Sequence, residues 1–368
     1  MTAEYVMVGG FLGAGKTTAL LRLAEHLTAQ GKRVGLITND QSSGLVDTTL
    51  VDAHGYPVEE ITGGCFCCRF SSLTAAAERL TASARPDVFL AEPVGSCTDL
   101  RATVQYPLRR LYGSDYRIAP LSVLVDPLRA LRVFGVEQGR AFSSKVLYIY
   151  RMQLEEADLI VINKADLLEP SRLSALERAL RAEYSHADVC TVSARTGAGL
   201  ERWFGRIGAE PDTRAAPAVD YDEYAEGEAR LGWCNATFQL AGSPFDGNAF
   251  VAALARAILT ALRAAGIEIA HCKMTLAPAD DGNDLAALNL VSSERDPELS
   301  HALADPLSAG ELIVNLRGEG DPAVLQRSVV DALASVAAYH HVRADAVHME
   351  HFRPSRPVPT HRLATADA

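Results

Sequence analysis

Several features that would place this chain of 368 residues in other classes of protein are missing from its sequence. No stretch approaches the roughly 18 uninterrupted apolar residues of a membrane span. The N-terminus shows no basic region followed by a long apolar segment, so no signal peptide is visible and we expect a cytoplasmic protein. A net charge of −11 argues against general binding to nucleic acid or to an anionic membrane surface.

The cysteines lack the pattern of a disulfide framework. There are seven, an odd number, and three of them, Cys65, Cys67 and Cys68, fall within four residues. That spacing is typical of a cytosolic metal or redox site. The remaining four are isolated and are predicted to be packing residues: Cys97, Cys190, Cys234 and Cys272.

What the chain does contain is an alternation of apolar runs and helical patterns up to residue 207. Runs rich in Val, Ile and Leu predict strands buried on both faces, at 5–9, 33–39, 87–92, 120–126, 158–163 and 188–193. Helical patterns lie between them, at 16–30, 71–83, 127–134, 143–156, 171–183 and 198–207. Residues 1–207 are therefore predicted to form an α/β domain with a mostly parallel sheet covered by helices on both sides.

The composition changes after that domain. Residues 208–230 hold seven acidic residues and two prolines, which predicts an exposed linker or, alternatively, a docking strip for a cationic partner. Residues 231–352 predict a smaller α+β domain in the order β-α-β-β-β-α-β, with an antiparallel sheet and helices on one face. Residues 353–368 form a proline-rich tail that is expected to be extended.

A glycine-rich stretch directly after the first predicted strand matches the phosphate-loop pattern G-x-x-x-x-G-K-[ST]. The glycines let successive backbone N–H groups turn toward one phosphate cluster, and the following helix adds the positive end of its dipole. Lys16 is predicted to neutralise the β- and γ-phosphates, and the Thr17 hydroxyl to ligate Mg²⁺. The predicted nucleotide-binding residues of this stretch are Gly10, Gly13, Ala14, Gly15, Lys16, Thr17 and Thr18. The alternative is a glycine-rich turn that binds nothing.

A second motif indicates which base the nucleotide carries. Asn163-Lys164-Ala165-Asp166 matches N-K-x-D at the end of a predicted strand, and Ser193-Ala194 after the next strand resembles the loop that closes over guanine in GTPases. The Asp166 carboxylate can accept two hydrogen bonds from guanine, whereas adenine would leave it unpaired. GTP is therefore the predicted nucleotide, and the alternative role for Asp166 is a helix cap.

Acidic residues at the carboxyl ends of two other predicted strands are candidates for the hydrolysis site. Glu92 should lie near Mg²⁺ or its water shell, and the Gly95 amide could approach the γ-phosphate, because ligands bind at this edge of a doubly wound sheet. Asp40 and Asp47 lie in a polar segment that could close over the γ-phosphate, where either could orient the attacking water. The alternatives are a turn residue before proline and two solvated loop acids.

Gly63-Gly64-Cys65-Phe66-Cys67-Cys68 places three thiols where they can converge on one soft cation. Thiolates bind Zn²⁺ at about 2.3 Å, and a tetrahedral site needs a fourth ligand from elsewhere or from water. A buried structural cluster and a redox trio remain alternatives for these cysteines.

In their order and spacing, these motifs resemble the CobW-type metallochaperone GTPases, SIMIBI-class phosphate-loop relatives of the urease and hydrogenase maturation GTPases. The matching pieces are Gly9 to Thr18, Gly64 to Cys68, Glu92-x-x-Gly95, and Gln153 to Asp158 running into Asn163 to Asp166. The segment beginning Asn39-Asp40 departs from the Asn-Glu-Phe-Gly usual in the family.

The resemblance implies that Cys65, Cys67 and Cys68 bind a transition metal, Zn²⁺ or Co²⁺, and that this binding is coupled to GTP binding and slow hydrolysis. It also implies delivery of the metal to a client metalloprotein, with nucleotide-dependent homodimers as a further expectation. Three alternatives stay open: an activator of one metalloenzyme such as a nitrile hydratase, a small-molecule phosphotransferase, and a metal-binding module with a vestigial GTP site.

Overall fold

The computed structural model describes residues 2–39, 54–279 and 284–366. The chain divides into two compact units, which are described separately. Within the described residues, the first unit comprises 2–39, 54–225 and 356–366, and the second comprises 226–279 and 284–355.

The first unit is built on an eight-stranded sheet in which every described pairing is parallel. Its strands are β1 Ala3–Gly10, β2 Val34–Asn39, β3 Val58–Ile61, β4 Val88–Glu92, β5 Tyr116–Ile118, β6 Ser122–Val125, β7 Leu159–Ile162 and β8 Asp188–Thr191. The order is β3-β2-β4-β1-β6-β7-β8, with β5 beside β1. The predicted parallel α/β fold and its six strands are confirmed, whereas the short β3 and β5 were not predicted.

Helices connect these strands, as parallel pairing requires. They are α1 Lys16–Ala29, α2 Phe70–Ser83, α3 Tyr106–Tyr112, α4 Pro127–Val133, α5 Ser144–Glu156, α6 Pro170–Glu183 and α7 Leu200–Ile207. A π-helical turn, Arg101–Gln105, leads into α3. The six predicted helices are present, and α3 is additional. Because parallel strands run in one direction, the carboxyl ends of β1, β2, β4 and β7 lie at one edge of the sheet.

The second unit has an antiparallel six-stranded sheet in the order β12-β11-β10-β13-β9-β14. Its elements are β9 Leu231–Phe245, β10 Glu268–Pro278, β11 Ala286–Leu290, β12 Glu298–His301, β13 Leu307–Glu319 and β14 Val342–Phe352, with the two helices Gly247–Ala264 and Pro322–Tyr339. Both helices are capped by an aspartate side chain that accepts from a first-turn amide, Asp246 from Ala249 and Asp321 from Ala323. The predicted α+β domain is confirmed, and β12 adds one strand to the predicted order.

Both long helices of this unit pack into one apolar core with the sheet. Among the described residues, Gly247–Ala264 is the one helix long and apolar enough to pass as a membrane span by length and composition. Its buried side chains, including Phe250, Leu254 and Ile258, contribute to that core. This is the position of a core helix.

Two stretches, predicted as an exposed linker and an extended tail, contain residues that pack in the first unit. The second half of 208–230 is a helix, α8 Tyr221–Arg230. The two long helices that follow it in the chain are α9 Gly247–Ala264 and α10 Pro322–Tyr339. Tyr224 of α8 is 1% exposed and its hydroxyl accepts from the Thr98 amide. Residues 356–366, from the proline-rich tail, belong to the first unit. Local composition showed the acidic character of 208–230 but not the aromatic and backbone groups that dock these two stretches.

One buried carboxyl group at the end of α5 links stability to pH. Glu156 is fully buried, and burial raises its pKa to about 8, with the nearby Asp99 carboxylate adding to the rise. Its two oxygens lie 3.0 Å from the Thr98 hydroxyl and 2.9 Å from the Arg101 amide nitrogen. A protonated carboxyl group satisfies both partners, by donating to the hydroxyl and accepting from the amide.

The raised pKa predicts that stability falls as pH rises from about 4.5 to about 8, because the unfolded chain loses this proton first. Glu156→Gln presents the same donor and acceptor without ionising, so it should be more stable than wild type by about 3–5 kcal/mol at pH 8.5 and similar near pH 4.5. Urea unfolding across this range measures the difference. The exposed neighbour gives the control Glu155→Gln, and parallel pH profiles for wild type and Glu156→Gln would contradict the assignment.

Candidate functional site

The glycine-rich loop joins β1 to α1 in the conformation that its glycines allow. Gly10, Gly13 and Gly15 all have positive φ, and Gly15, at φ 86°, immediately precedes the first residue of α1. A Cβ atom at Gly15 would lie 2.6 Å from the Asn163 side-chain nitrogen, so this position requires glycine for space as well as for backbone angle. The first turn of α1 therefore adjoins the loop, and its backbone N–H groups are directed toward the loop.

The carbonyl groups of the loop are held by side chains from two other elements. Lys164 Nζ donates to the Gly13 carbonyl at 2.7 Å, and Asn163 Nδ2 donates to the Ala14 carbonyl at 2.9 Å. The Arg129 guanidinium donates to the Leu12 carbonyl. With three successive carbonyls fixed in this way, the loop can turn its amide edge toward an anion.

Lys16 and Thr17 open α1 and both face Glu92, the last residue of β4. The Thr17 hydroxyl donates to Glu92 Oε1 at 3.2 Å, and Lys16 Nζ lies 3.9 Å from the same oxygen. All three side chains are at most 9% exposed. Thr18, the next residue, is exposed. The structure thus places the loop lysine and the loop threonine beside Glu92.

The N-K-x-D motif forms a polar cluster on the other side of the loop. Asn163 follows β7, its Oδ1 accepts from the Ala194 amide at 3.0 Å, and it thereby ties the Ser193-Ala194 loop to the phosphate loop. The Asp166 carboxylate accepts from the Ser193 hydroxyl at 2.5 Å and pairs with Arg195. Although partial burial raises the pKa of Asp166, these two partners hold it below its ordinary value, so the group is ionised at neutral pH.

Lys164 has a second partner that sequence reasoning missed. Its ammonium group lies 2.9 Å from Asp126 Oδ2. Asp126 follows β6 and caps α4 by accepting from the Arg129 amide at 3.1 Å. Burial raises the pKa of Asp126, but the positive charges of Lys164 and Arg129 outweigh that effect and lower it. The aliphatic stem of Lys164 is thus fixed between the loop and Asp126, as a cover for a base would need.

The loop after β4 is packed directly on the phosphate loop. A Cβ atom on Gly95 would lie 2.7 Å from Leu12 Cδ2 and 3.0 Å from the Leu12 amide nitrogen, so only glycine allows this approach. From α5, the buried Gln153 side chain donates to the Gly95 carbonyl at 2.9 Å and to the Cys97 carbonyl at 2.8 Å. Residues 92–97 are buried, so this loop is firmly packed beside the predicted phosphate site.

The three clustered cysteines converge. Their Sγ atoms all lie within 4.8 Å of one another, with 3.2 Å between Cys65 and Cys68 and 3.6 Å between Cys67 and Cys68. Cys65 and Cys67 are buried and Cys68 is half-buried. The same four-residue turn buries the Phe66 ring completely, which anchors it in the core. All seven cysteines are free thiols.

The side chain of one asparagine links this cysteine turn to the sheet by hydrogen bonds. Asn39, the last residue of β2, donates through Nδ2 to the carbonyls of Ile61 and Gly64 at 3.0 and 2.8 Å, and its Oδ1 accepts from the Phe66 amide at 2.9 Å. Strand pairing places Thr38 opposite Glu92, so Asn39 lies at the edge where the β4 loop begins. Asp40 and Asp47, the predicted water-orienting acids, lie outside the described residues.

The hydrogen bonds among the three thiols shift their pKa values in opposite directions. Hydrogen bonds from the neighbouring thiols of Cys67 and Cys68 lower the pKa of Cys65 well below its ordinary value. The bond to Cys65 in turn raises the pKa of Cys67, and raises that of Cys68 to about 11. A metal ion that takes all three sulfurs as thiolates must displace the protons that the thiols hold.

The C-terminal segment covers this cluster. The Thr360 amide donates to the Cys67 carbonyl at 2.9 Å, and the Val358 amide lies 3.2 Å from Cys68 Sγ. Arg362 fixes the segment by pairing with the buried Asp99 at 2.8 Å, while the His361 ring stacks edge-on against Phe70 at 5.0 Å. This cover was not predicted, because nothing in a proline-rich tail identifies its docking site.

Cys97 is 2% exposed, in agreement with its prediction as a packing residue. Hydrogen bonding with the Cys97 thiol is among the causes that lower the pKa of Cys65 and raise that of Cys67. The sulfurs that lie within 4.8 Å of one another are those of Cys65, Cys67 and Cys68. Cys190, Cys234 and Cys272 are buried.

Comparison with known proteins identifies relatives for the first unit. The sequence profile of the family described as "CobW/HypB/UreG, nucleotide-binding domain" matches residues 4–191. A protein named zinc chaperone CobW from a Sinorhizobium species is 30% identical over 194 residues, which cover 46% of this chain and 53% of that protein. Zinc chaperone YeiR from Escherichia coli K12 is 31% identical over 173 residues, covering 47% of this chain and 49% of that protein.

The chain spans about half the length of the curated relatives it matches. Among solved structures, the Zn(II)-bound YjiA GTPase from E. coli aligns over 91% of this chain and 99% of its own, with 16% identity and a TM-score of 0.37.

Proposed function

The chain belongs to the CobW/HypB/UreG family, whose nucleotide-binding domain covers residues 4–191, and on that premise we propose that it is a GTP-binding and GTP-hydrolysing metallochaperone. It binds a transition metal, preferentially Zn²⁺, through Cys65, Cys67 and Cys68 and delivers it to a client metalloprotein. The observation that carries the proposal is the convergence of three thiols on a turn held by the last residue of β2, at the sheet edge that carries the phosphate loop.

The nucleotide in this proposal is GTP. The loop amides and the N-terminus of α1 bind its phosphates, with Lys16 beside the β- and γ-phosphates. The Asp166 carboxylate accepts from guanine once the Arg195 side chain, which is 59% exposed, moves aside. An adenine ring would face this ionised carboxylate without matching donors.

A magnesium ion fits the donor set at the phosphates. Mg²⁺ prefers oxygen ligands and keeps several waters. The Thr17 hydroxyl would ligate it, and Glu92, within hydrogen-bond distance of that hydroxyl, would hold one of its waters. When bound, the ion would neutralise charge that develops on the phosphates. Lys16 supplies a second positive charge on the same side.

The cysteine turn suits a soft cation. Thiolates select Zn²⁺ over the harder Mg²⁺, and names of the matched relatives, such as zinc chaperone CobW, point to zinc. The metal is cargo rather than a resident cofactor, so its site must be able to release it. A half-buried Cys68 under a docked tail segment offers such an exit, because the tail can move without disturbing the sheet.

Coupling between the two sites follows from differential affinity. Closing of the segment after β2 on the γ-phosphate would act on Asn39, and Asn39 holds the turn that carries Cys65 and Cys67. A tenfold change in metal affinity between the nucleotide states needs about 1.4 kcal/mol. Asp40 or Asp47 orients the attacking water in this scheme. We further propose that the protein acts in the cytoplasm on a protein client, as a nucleotide-dependent homodimer, without nucleic acid or membrane.

The coupling is tested by titrating Zn²⁺ against a chelating indicator, with and without a non-hydrolysable GTP analogue and Mg²⁺. We expect the analogue to change the zinc affinity by about tenfold or more, and Cys67→Ser to abolish the high-affinity phase. Cys190→Ser, which removes a buried thiol on β8, is the matched control. Equal zinc affinities in the two nucleotide states would refute the coupling, and zinc binding unaffected by Cys67→Ser would refute the metal site.

A small-molecule phosphotransferase is the rival activity for a phosphate loop. The paired contacts of Asn163 and Lys164 with the loop favour the guanine-specific reading. A search for a phosphorylated small molecule after incubation with nucleotide distinguishes the two functions.

A further inference from the structure

The C-terminal segment binds the cysteine turn mainly through its backbone. Residues 357–360 read Pro-Val-Pro-Thr, so only the second and fourth of them carry an N–H group. Both of these groups face the turn: the Val358 amide lies 3.2 Å from Cys68 Sγ, and the Thr360 amide donates to the Cys67 carbonyl at 2.9 Å. The Thr360 hydroxyl adds a contact of 3.3 Å with the Cys68 carbonyl. Every backbone donor of this short stretch is therefore used on the cysteine turn.

A buried carboxylate anchors the same segment a few residues further on. Arg362 Nε donates to Asp99 Oδ2 at 2.8 Å, and its Nη2 lies 3.3 Å from Oδ1. The Asp99 side chain is 0% exposed and also accepts from the Tyr221 hydroxyl at 2.6 Å. Loss of Arg362 would leave this buried carboxylate without the cation that it pairs with, which is strongly unfavourable. Any chain that lies in this place must therefore bring a positive charge to Asp99.

Most of these contacts do not depend on the particular side chains of the segment. Main-chain amides bind the turn, one guanidinium binds Asp99, and the His361 ring packs edge-on against Phe70 at 5.0 Å. The Val358 side chain, between the two prolines, is 69% exposed. Main-chain hydrogen bonds with one or two anchoring side chains are the usual way in which a protein binds an extended peptide. The surface beneath the tail is thus built like a peptide-binding site.

We propose that this surface is the docking site for an extended, arginine-bearing segment of the client protein, and that residues 356–366 cover it until such a segment displaces them. The inference deepens the proposed function and rests on it. A client segment that offers amides to the turn and a guanidinium to Asp99 makes the same contacts as the tail. Exchange of one segment for the other then leaves no buried group unpaired, so it needs no rearrangement of the core.

The place of the tail explains why the occupant is a client that receives metal. A client segment lying where Val358 lies brings its own side chains next to Cys68, the half-buried cysteine of the turn. A client thiolate or neutral imidazole there can bond to the ion as the bond to Cys68 breaks, and Cys68 then takes up a proton from water. Displacement of the tail would thus open the metal site only when a recipient is present.

The first test measures the accessibility of Cys68 in the metal-free, full-length protein. Alkylation by a maleimide, located by mass spectrometry, should be fastest at Cys68, because the other cysteines are buried. Arg362→Ala removes the pair with Asp99, so we expect it to speed alkylation of Cys68 by about tenfold or more. Arg206→Ala, which removes the exposed ion pair with Asp188, is the matched control.

A double variant keeps this test valid if Arg362→Ala alone does not fold. Asp99→Asn combined with Arg362→Ala removes the arginine and leaves a neutral side chain at the buried position, where the asparagine oxygen can still accept from the Tyr221 hydroxyl. The same increase in alkylation of Cys68 is expected.

The second test asks whether the uncovered surface binds a separate segment. The probe is a fluorescent peptide with the sequence of residues 354–366, and the protein is the full-length double variant Thr360→Pro/Arg362→Ala, whose new proline removes the amide that binds Cys67. We expect saturable binding by anisotropy, and binding weaker by about tenfold or more for a peptide with alanine at the position of Arg362. Wild type should bind the peptide more weakly than the variant, because its own tail competes at a high effective concentration.

Three results would overturn the inference. Unchanged alkylation of Cys68 would show that the tail is not a removable cover, and equal or absent binding of the two peptides would show that the surface does not select an arginine-bearing segment. Dimers of metal- and nucleotide-free wild type that Arg362→Ala abolishes would assign the surface to the tail of a second copy instead of a client. Neither test uses GTP or metal, so a failed zinc titration would refute the proposed function without changing these measurements.

Discussion

Replacing Asp166 by asparagine is expected to convert a guanine site into a xanthine site. The carboxylate can accept from the guanine N1–H and exocyclic amine, whereas an asparagine side chain would set its own NH₂ group against one of those donors. Loss of two charge-assisted hydrogen bonds, each about 1.5–3 kcal/mol, predicts a loss of GTP affinity of about 10²- to 10⁴-fold. Xanthine carries a carbonyl in place of the amine, so XTP should bind better to Asp166→Asn than to wild type.

Binding of fluorescent GTP and XTP analogues measures both changes. The variant should fold, because asparagine can still accept from the Ser193 hydroxyl, the contact seen at 2.5 Å. Asp188→Asn removes an exposed carboxylate on β8 that pairs with Arg206 at 2.9 Å, and it serves as the matched control. If GTP affinity survives in Asp166→Asn, then Asp166 does not read the base, and ATP becomes the nucleotide to test.

The strands and the short motifs of the first unit could be predicted from local sequence patterns. Its strands are buried on both faces, so they appear in the sequence as apolar runs that need no partner to be recognised. The phosphate loop and the N-K-x-D motif are likewise short, contiguous patterns. The contact of Asn163 with the Ala14 carbonyl, across 149 positions, was not predicted, and it follows from strands that end at one edge of the sheet.

The parts that were missed depend on long-range contacts. In the sequence, Asn39 is only the end of a predicted strand, and its hydrogen bond to the cysteine turn is visible only in the structure. The tail was predicted as an extended proline-rich segment, and its docking contacts join distant residues, such as Arg362 and Asp99 across 263 positions. These contacts join residues far apart in the chain, so no short stretch of the sequence predicts them.

Removal of Lys16 is expected to have the largest effect on hydrolysis. The side chain is 7% exposed and lies 3.9 Å from Glu92, with its positive charge directed to the end of β4 where the phosphates are proposed to sit. Lys16→Ala keeps a strong helix former at the start of α1, so the helix should persist while the charge is lost. We expect kcat/KM for GTP to fall by about 10³-fold or more, which corresponds to about 4 kcal/mol of transition-state stabilisation.

The same variant separates the two halves of the proposed mechanism. Lys16→Ala leaves the thiols of the cysteine turn untouched, so zinc affinity without nucleotide should equal that of wild type, whereas the effect of a GTP analogue on zinc affinity should disappear. Phosphate release and zinc titration measure the two properties, with Lys32→Ala as the control, since Lys32 is a partly exposed lysine 3.8 Å from Glu4. If the analogue still shifts zinc affinity in Lys16→Ala, the loop lysine does not transmit the γ-phosphate to the metal site. If hydrolysis persists as well, the phosphate loop is not the catalytic centre.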